Sequence, residues 1–146
     1  MNEEFSKELS LIGSINELRL FCHFTDKDIE QILNEGLYMK QKSWNTTMIE
    51  LSEEEKKNLT EFLLSEMGQN PDITWKIGAI IIAVPMEYGY NFIEKGEEHS
   101  DDIDDMPFYV PQEYILCSID LINENINYNE YSIGYQDYIS IEKQFL

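Results

Sequence analysis

Basic residues are what this 146-residue chain has least of. Ten lysines and arginines stand against 29 acids, giving a formal net charge of −19, and Arg19 is the sole arginine. Nucleic-acid binding draws most of its affinity from Lys and Arg neutralising phosphates, so direct contact with DNA or RNA is not expected. Anionic membrane surfaces are disfavoured for the same reason. Cysteine is also scarce. Cys22 and Cys117 both sit in apolar runs, which argues for two buried thiols in a reducing compartment and against a disulfide framework. Their positions lack metal-ligand spacing. The acids Asp101, Asp102, Asp104 and Asp105 lack the spacing and glycine of a calcium loop, so no metal is expected. No Gly-x-Ser-x-Gly, P-loop or Rossmann fingerprint occurs. The longest apolar run, Ala79 to Pro85, falls far short of the ~20 residues a membrane helix needs. The opening residues carry no basic region or long apolar stretch, so no signal peptide is expected and the cytoplasm is the expected location. No repeat and no Pro/Gly/Ser linker divides the chain, so a single domain over residues 1–146 is expected.

What is present fits a packed globule: 42% of residues are hydrophobic and 12% aromatic. Phe5, Leu9 and Ile12 have the spacing of a short amphipathic helix, broken by Gly13 and Ser14. Leu18 to Phe24 reads as a strand, with Leu18, Leu20, Cys22 and Phe24 on one face and Arg19, Phe21 and His23 on the other. A helix follows, capped by Thr25 or Asp26, with Ile29, Ile32 and Leu33 as its stripe and Gly36 at its C′ position. Tyr38 to Leu51 reads as irregular. Ser52 and Glu55 form a capping box, and Leu59, Phe62 and Leu63 continue that helix to about Gly68. Gly78 to Val84 is the strongest strand, apolar throughout and therefore central. Glu94 to Asp105 reads as a charged loop and Tyr114 to Leu121 as a further strand. The Tyr-rich stretch from Asn123 onward reads as edge strands or turns. Two helices and about five strands, not strictly alternating, define an α+β domain.

The segment Leu20 to Leu37, LFCHFTDKDIEQILNEGL, carries the chemistry signal. It resembles the opening of ADP-ribosyltransferase-like domains, including DarT-type DNA ADP-ribosyltransferases and RNA phosphotransferase relatives. The matching positions are His23, Phe24, Thr25, Ile32, Leu33, Gly36 and Leu37; GAIIIAVP and VPQEYILCSID are similar to later strands of such domains. The resemblance covers about a third of the chain. It implies a split, mainly antiparallel sheet flanked by two or three helices, and NAD as cofactor. Carried over by position, His23 would orient a hydroxyl of the nicotinamide ribose through one ring nitrogen. Thr25 would shape the nicotinamide pocket. Glu113 would be the catalytic carboxylate, stabilising positive charge on the ribose as nicotinamide leaves. Arg19, on the same strand face as His23, would fork onto a pyrophosphate. The resemblance also implies an aromatic that stacks on nicotinamide; Tyr38, Trp44, Tyr88 and Tyr90 compete for that place, with Tyr38 counted among the candidate cofactor-binding residues. The acidic surface restricts the expected substrate to a protein or small molecule.

A second reading needs no chemistry. So acidic a chain fits a binding protein of the immunity, antitoxin or phage anti-defence type, docking on a basic or nucleic-acid-binding surface of a protein partner. On that reading His23 and Glu113 are structural and exposed residues respectively, and Arg19 is one half of an ion pair. The sequence leaves the oligomeric state open.

Overall fold

The computed structural model describes residues 2–25, 29–40, 48–69, 78–88 and 107–144. Helix α1 spans Glu3–Gly13 and strand β1 Leu18–Thr25, followed by α2 at Ile29–Glu35 and β2 at Leu37–Lys40. Next come β3 at Met48–Glu50, α3 at Glu53–Lys57, α4 at Leu59–Gln69 and β4 at Gly78–Pro85, whose end turns through a 3₁₀ segment at Met86–Tyr88. The last run holds β5 at Pro107–Val110, a 3₁₀ turn at Gln112–Tyr114, β6 at Ile115–Asp120, β7 at Asn125–Tyr128 and α5 at Ile133–Gln144.

The strands form two sheets. The larger has the order β3-β1-β4-β6-β7 and the smaller pairs β2 with β5. Every pairing is antiparallel, so the described residues form an α+β domain around a split antiparallel sheet. Alternation along β1 and β4 sends side chains to two separate cores. Leu18, Leu20, Cys22 and Phe24, with Ala79, Ile81 and Ala83, meet Phe5, Leu9 and Ile12 of α1, Leu59, Phe62 and Leu63 of α4 and Tyr138 of α5. On the opposite face Phe21, Ile80, Ile82 and Val84 meet Ile32 of α2, Leu37 of β2, Val110 of β5 and Tyr114. The small sheet and α2 thus cover one face of the large sheet and the remaining helices cover the other. The expected central strand is β4, with Ala79 to Val84 fully buried.

Several local expectations meet their physical cause. Ser52 accepts a hydrogen bond from the Glu55 N–H at 3.1 Å and the Glu55 carboxylate accepts one from the Ser52 N–H at 2.9 Å, completing the capping box. Gly36 closes α2 with φ 87°, and its N–H donates to the Ile32 carbonyl at 2.8 Å. A Cβ there would lie 2.6 Å from the Val110 carbonyl oxygen, so glycine is needed both for its backbone angle and for the approach of β5.

Four expectations are corrected. The stretch read as irregular contains β2 and β3, which gain strand character by pairing with β5 and β1 and not from a pattern of their own. The helix expected to run on from Ser52 is two helices, interrupted at Asn58, whose φ of −118° and ψ of 45° are not helical. Tyr114 lies in the 3₁₀ turn, and β6 begins one residue later. The Tyr-rich end holds one edge strand, β7, and then the helix α5. Tyr and Ile read as strand formers, but Gly134 and Tyr138 recur at helical spacing and are the residues α5 buries. Five helices are therefore present among the described residues. The Asp26 cap and the Glu94–Asp105 loop lie outside the described residues.

Candidate functional site

His23 sits on β1 with Met48 of β3 on one side and Ile80 of β4 on the other. It is 5% exposed and engaged in the structure, so it is a built-in part of the covered face. Across the sheet its row continues to Ser118 of β6 and Asn127 of β7, so buried Ile80 and Ser118 separate it from the far edge.

Arg19 lies four residues earlier on the same face. Its Nε donates to Glu50 Oε2 and its Nη2 to Glu50 Oε1, both at 2.8 Å. That is a two-pronged ion pair in the geometry guanidinium and carboxylate prefer. The guanidinium carbon also stands 5.3 Å from the centre of the Phe21 ring. The fork expected for a pyrophosphate is thus turned onto a carboxylate of β3. Glu50 was hidden from sequence reasoning because Met48–Glu50 was read as irregular. Alternation on a short strand gives Glu50 the face of Met48, but its position, opposite Phe21 and diagonal to Arg19, comes from the pairing of β3 with β1.

Glu113 is exposed in the 3₁₀ turn between β5 and β6, the segment where the chain crosses from the small sheet to the large one. Next to it, Asn129 holds the crossing together. Its side-chain amide donates to the Gln112 carbonyl at 2.8 Å and to the Ile115 carbonyl at 3.1 Å, and its own N–H donates to the Leu116 carbonyl at 2.8 Å. These bonds serve a bulge: Ile81 pairs with Cys117 but Ile82 pairs with Ile115, so Leu116 is the extra residue.

The register sets how His23 and Glu113 relate. Strands β1 and β6 run in the same direction with β4 between them. The Phe21 row meets Ile82 and Ile115, so His23 lies beyond that row toward one end of the sheet and Glu113 before it toward the other. Strand spacing and rise put their backbones roughly 15 Å apart. The fully buried Ile80, Ile82 and Ile115 occupy the direct path on that face. The two groups therefore do not act on one atom within this arrangement. Arg19 and His23 share a face, Glu113 borders the seam between the sheets, Thr25 ends β1, and Tyr38 pairs with Tyr109 in the small sheet. For Thr25 and Tyr38 the structure describes the backbone position. Trp44 and Tyr90 lie outside the described residues.

Other titratable groups follow their surroundings. Burial pushes the Cys22 and Cys117 thiols well above the ordinary range, so neither is a ready nucleophile. Burial alone would raise the Asp120 carboxyl, but three donors outweigh it and hold it below its usual range: the N–H groups of Ile122 and Asn123 and the Asn123 amide. That carboxylate closes the turn into β7. No group of three or more His, Cys, Asp or Glu side chains suited to a metal ion occurs among the described residues. No described helix is long and apolar enough to cross a membrane. No family model matches the chain, and neither does any curated protein or solved structure. The resemblance to ADP-ribosyltransferase-like domains therefore rests on the residues of this chain alone.

Proposed function

We propose that the chain is an ADP-ribosyltransferase-like domain that binds NAD⁺ along the seam between its two sheets. The observation that carries this reading is the placement of Glu113: exposed, at the crossing from β5 to β6, with the small sheet on one side and the large sheet on the other. His23 supports it from the opposite end of the covered face. With backbones roughly 15 Å apart, the two groups on this reading hold different parts of one extended ligand and not the one nicotinamide ribose that the resemblance implies. NAD⁺ would supply the chemistry of nicotinamide release, with the ADP-ribose passing to an acceptor. Glu113 would accept the proton of the attacking group, and His23 would orient a ribose hydroxyl through whichever ring nitrogen faces the seam. Arg19 takes no part in this scheme while Glu50 holds it. The acceptor on this reading is a protein or a small molecule, since a phosphate backbone is repelled.

Calorimetric titration of the protein with NAD⁺ tests the reading. Binding in the micromolar to millimolar range is expected, lost in His23→Ala and retained in Glu113→Gln. Nicotinamide release should fall at least about 100-fold in Glu113→Gln, the lower end of what removing a positioned proton acceptor costs. No heat at millimolar NAD⁺ would end the proposal.

A second reading, a non-enzymatic acidic binder of a basic protein surface, is favoured by one observation. The sole arginine is engaged with Glu50 inside the molecule, and ten basic residues against 29 acids give a net charge of −19. Association would then be fast and would weaken with salt.

A further inference from the structure

The end of the large sheet that carries Glu113 also exposes side chains that a solvated surface has no use for. Tyr131 is 85% exposed, Met86 58% and Ile133 39%. They come from two separate stretches of chain, and the structure ties those stretches together. The Asn129 amide donates to the Gln112 carbonyl, and the Tyr131 N–H donates to Asn129 Oδ1 at 3.2 Å, so residues 130–131 sit against the Gln112–Tyr114 turn. Gly134 packs so closely on β4 that a Cβ there would lie 2.9 Å from the Ala83 Cβ. Ile133 is therefore held against the end of β4, and the chain leaves β4 through Met86. Three acids stand among these residues: Glu87, Glu113 and Glu130, all exposed.

We infer that this end of the sheet is a docking surface for a basic polypeptide segment that also carries apolar side chains. Charge selects that occupant. A second copy would bring the same acids against these, on top of a −19 charge on each molecule. A nucleic acid would bring phosphates. A Lys- or Arg-bearing segment pairs with the three carboxylates and lets its apolar residues cover Tyr131, Met86 and Ile133. Exposed aromatics framed by charge are the usual anchors of such contacts. Rigidity favours it as well: the Asn129 bonds and the Gly134 contact fix the two stretches on which the anchors ride, so little ordering cost is added on binding. The inference rests on the acidic-binder reading for its charge argument and is independent of NAD⁺ chemistry.

The probe is a fluorescein-labelled model peptide of about 18 residues, with arginines on one helical face and leucines on the other. Its binding to the full chain is followed by anisotropy at low and high salt and mapped by backbone amide shifts in nitrogen-15-labelled protein. Saturable, salt-weakened binding is expected, with the largest shifts at residues 86–87, 112–113 and 130–134. The double variant Tyr131→Ala with Ile133→Ser should bind at least about fivefold more weakly. The pair Glu61→Gln with Glu66→Gln on α4, the first exposed and the second half-buried, should bind almost as the parent does. Shifts spread over α1, α3 and α4, or equal losses in both variants, would overturn this surface while leaving charge-driven binding intact. Self-association that the Tyr131/Ile133 variant abolishes would replace the peptide by a second copy and overturn the inference. No saturable binding at low salt would overturn both the surface and the acidic-binder reading.

Discussion

Glu8 shows how crowding of like charge is felt at a single side chain. It lies on α1, partly buried. Burial first, then the neighbouring Glu4 and Glu142 carboxylates, raise its pKa above the ordinary carboxylate value. The folded protein therefore holds this proton more tightly than the unfolded chain does. Its contribution to stability is fully present below the unfolded value and is lost as pH rises through the folded one. Glu8→Gln removes that loss. The variant should melt at a higher temperature than the parent at pH 7, and the gap should close as the buffer is taken down to about pH 4. Thermal melts across that range check it; a constant gap would mean that the effect is packing and not charge. Asp120 has the opposite sign, because its donors hold it low, and its contribution fades as pH falls.

At the scale of elements, the clearest lesson is the bulge in β6. Leu116 is surplus to the β4 register, and Asn129 braces it by donating through its amide to the Ile115 carbonyl and through its backbone N–H to the Leu116 carbonyl. Asn129→Ala should cost about 1–3 kcal/mol in urea unfolding, because the Ile115 carbonyl loses its side-chain donor in a buried place, while the Gln112 carbonyl keeps the Ile115 N–H. A loss below about 0.5 kcal/mol would show that the bulge holds itself.

Elements with a strong local signal were legible from the sequence: β1 by alternation, α2 by its stripe and Gly36, α3 by its capping box, and β4 by an unbroken apolar run. Elements that exist through a partner were not. Strand β3 is three residues long and is a strand because β1 lies beside it. Helix α5 is written in Tyr and Ile, which by propensity favour strands, and it is a helix because Gly134 and Tyr138 fit against the large sheet. The candidate site divides the same way. The position of His23 on a strand face was readable from spacing two. The Arg19–Glu50 pair, 31 positions apart in sequence, was not, since nothing local links the two residues. Nor was the distance between His23 and Glu113, which depends on β1 and β6 running in the same direction two strands apart.

For the molecule as a whole, the split sheet creates two cores that share one set of strands. The helices compress one face of β1 and β4, and α2 with the small sheet compresses the other. Strand β4 is paired along both edges and buried on both sides, so no solvent path reaches its backbone in the native state. Its amide protons can meet deuterium only when the entire assembly opens. The amides of Ile80 to Val84 should exchange with a common free energy equal to the global unfolding value, on the order of 5–15 kcal/mol, and those of β7 far sooner. Exchange of β4 at the pace of β7 would mean that the two cores come apart separately. The buried strand is in this sense a clock: the deuterium it has acquired after a given time counts the moments when the protein was wholly undone.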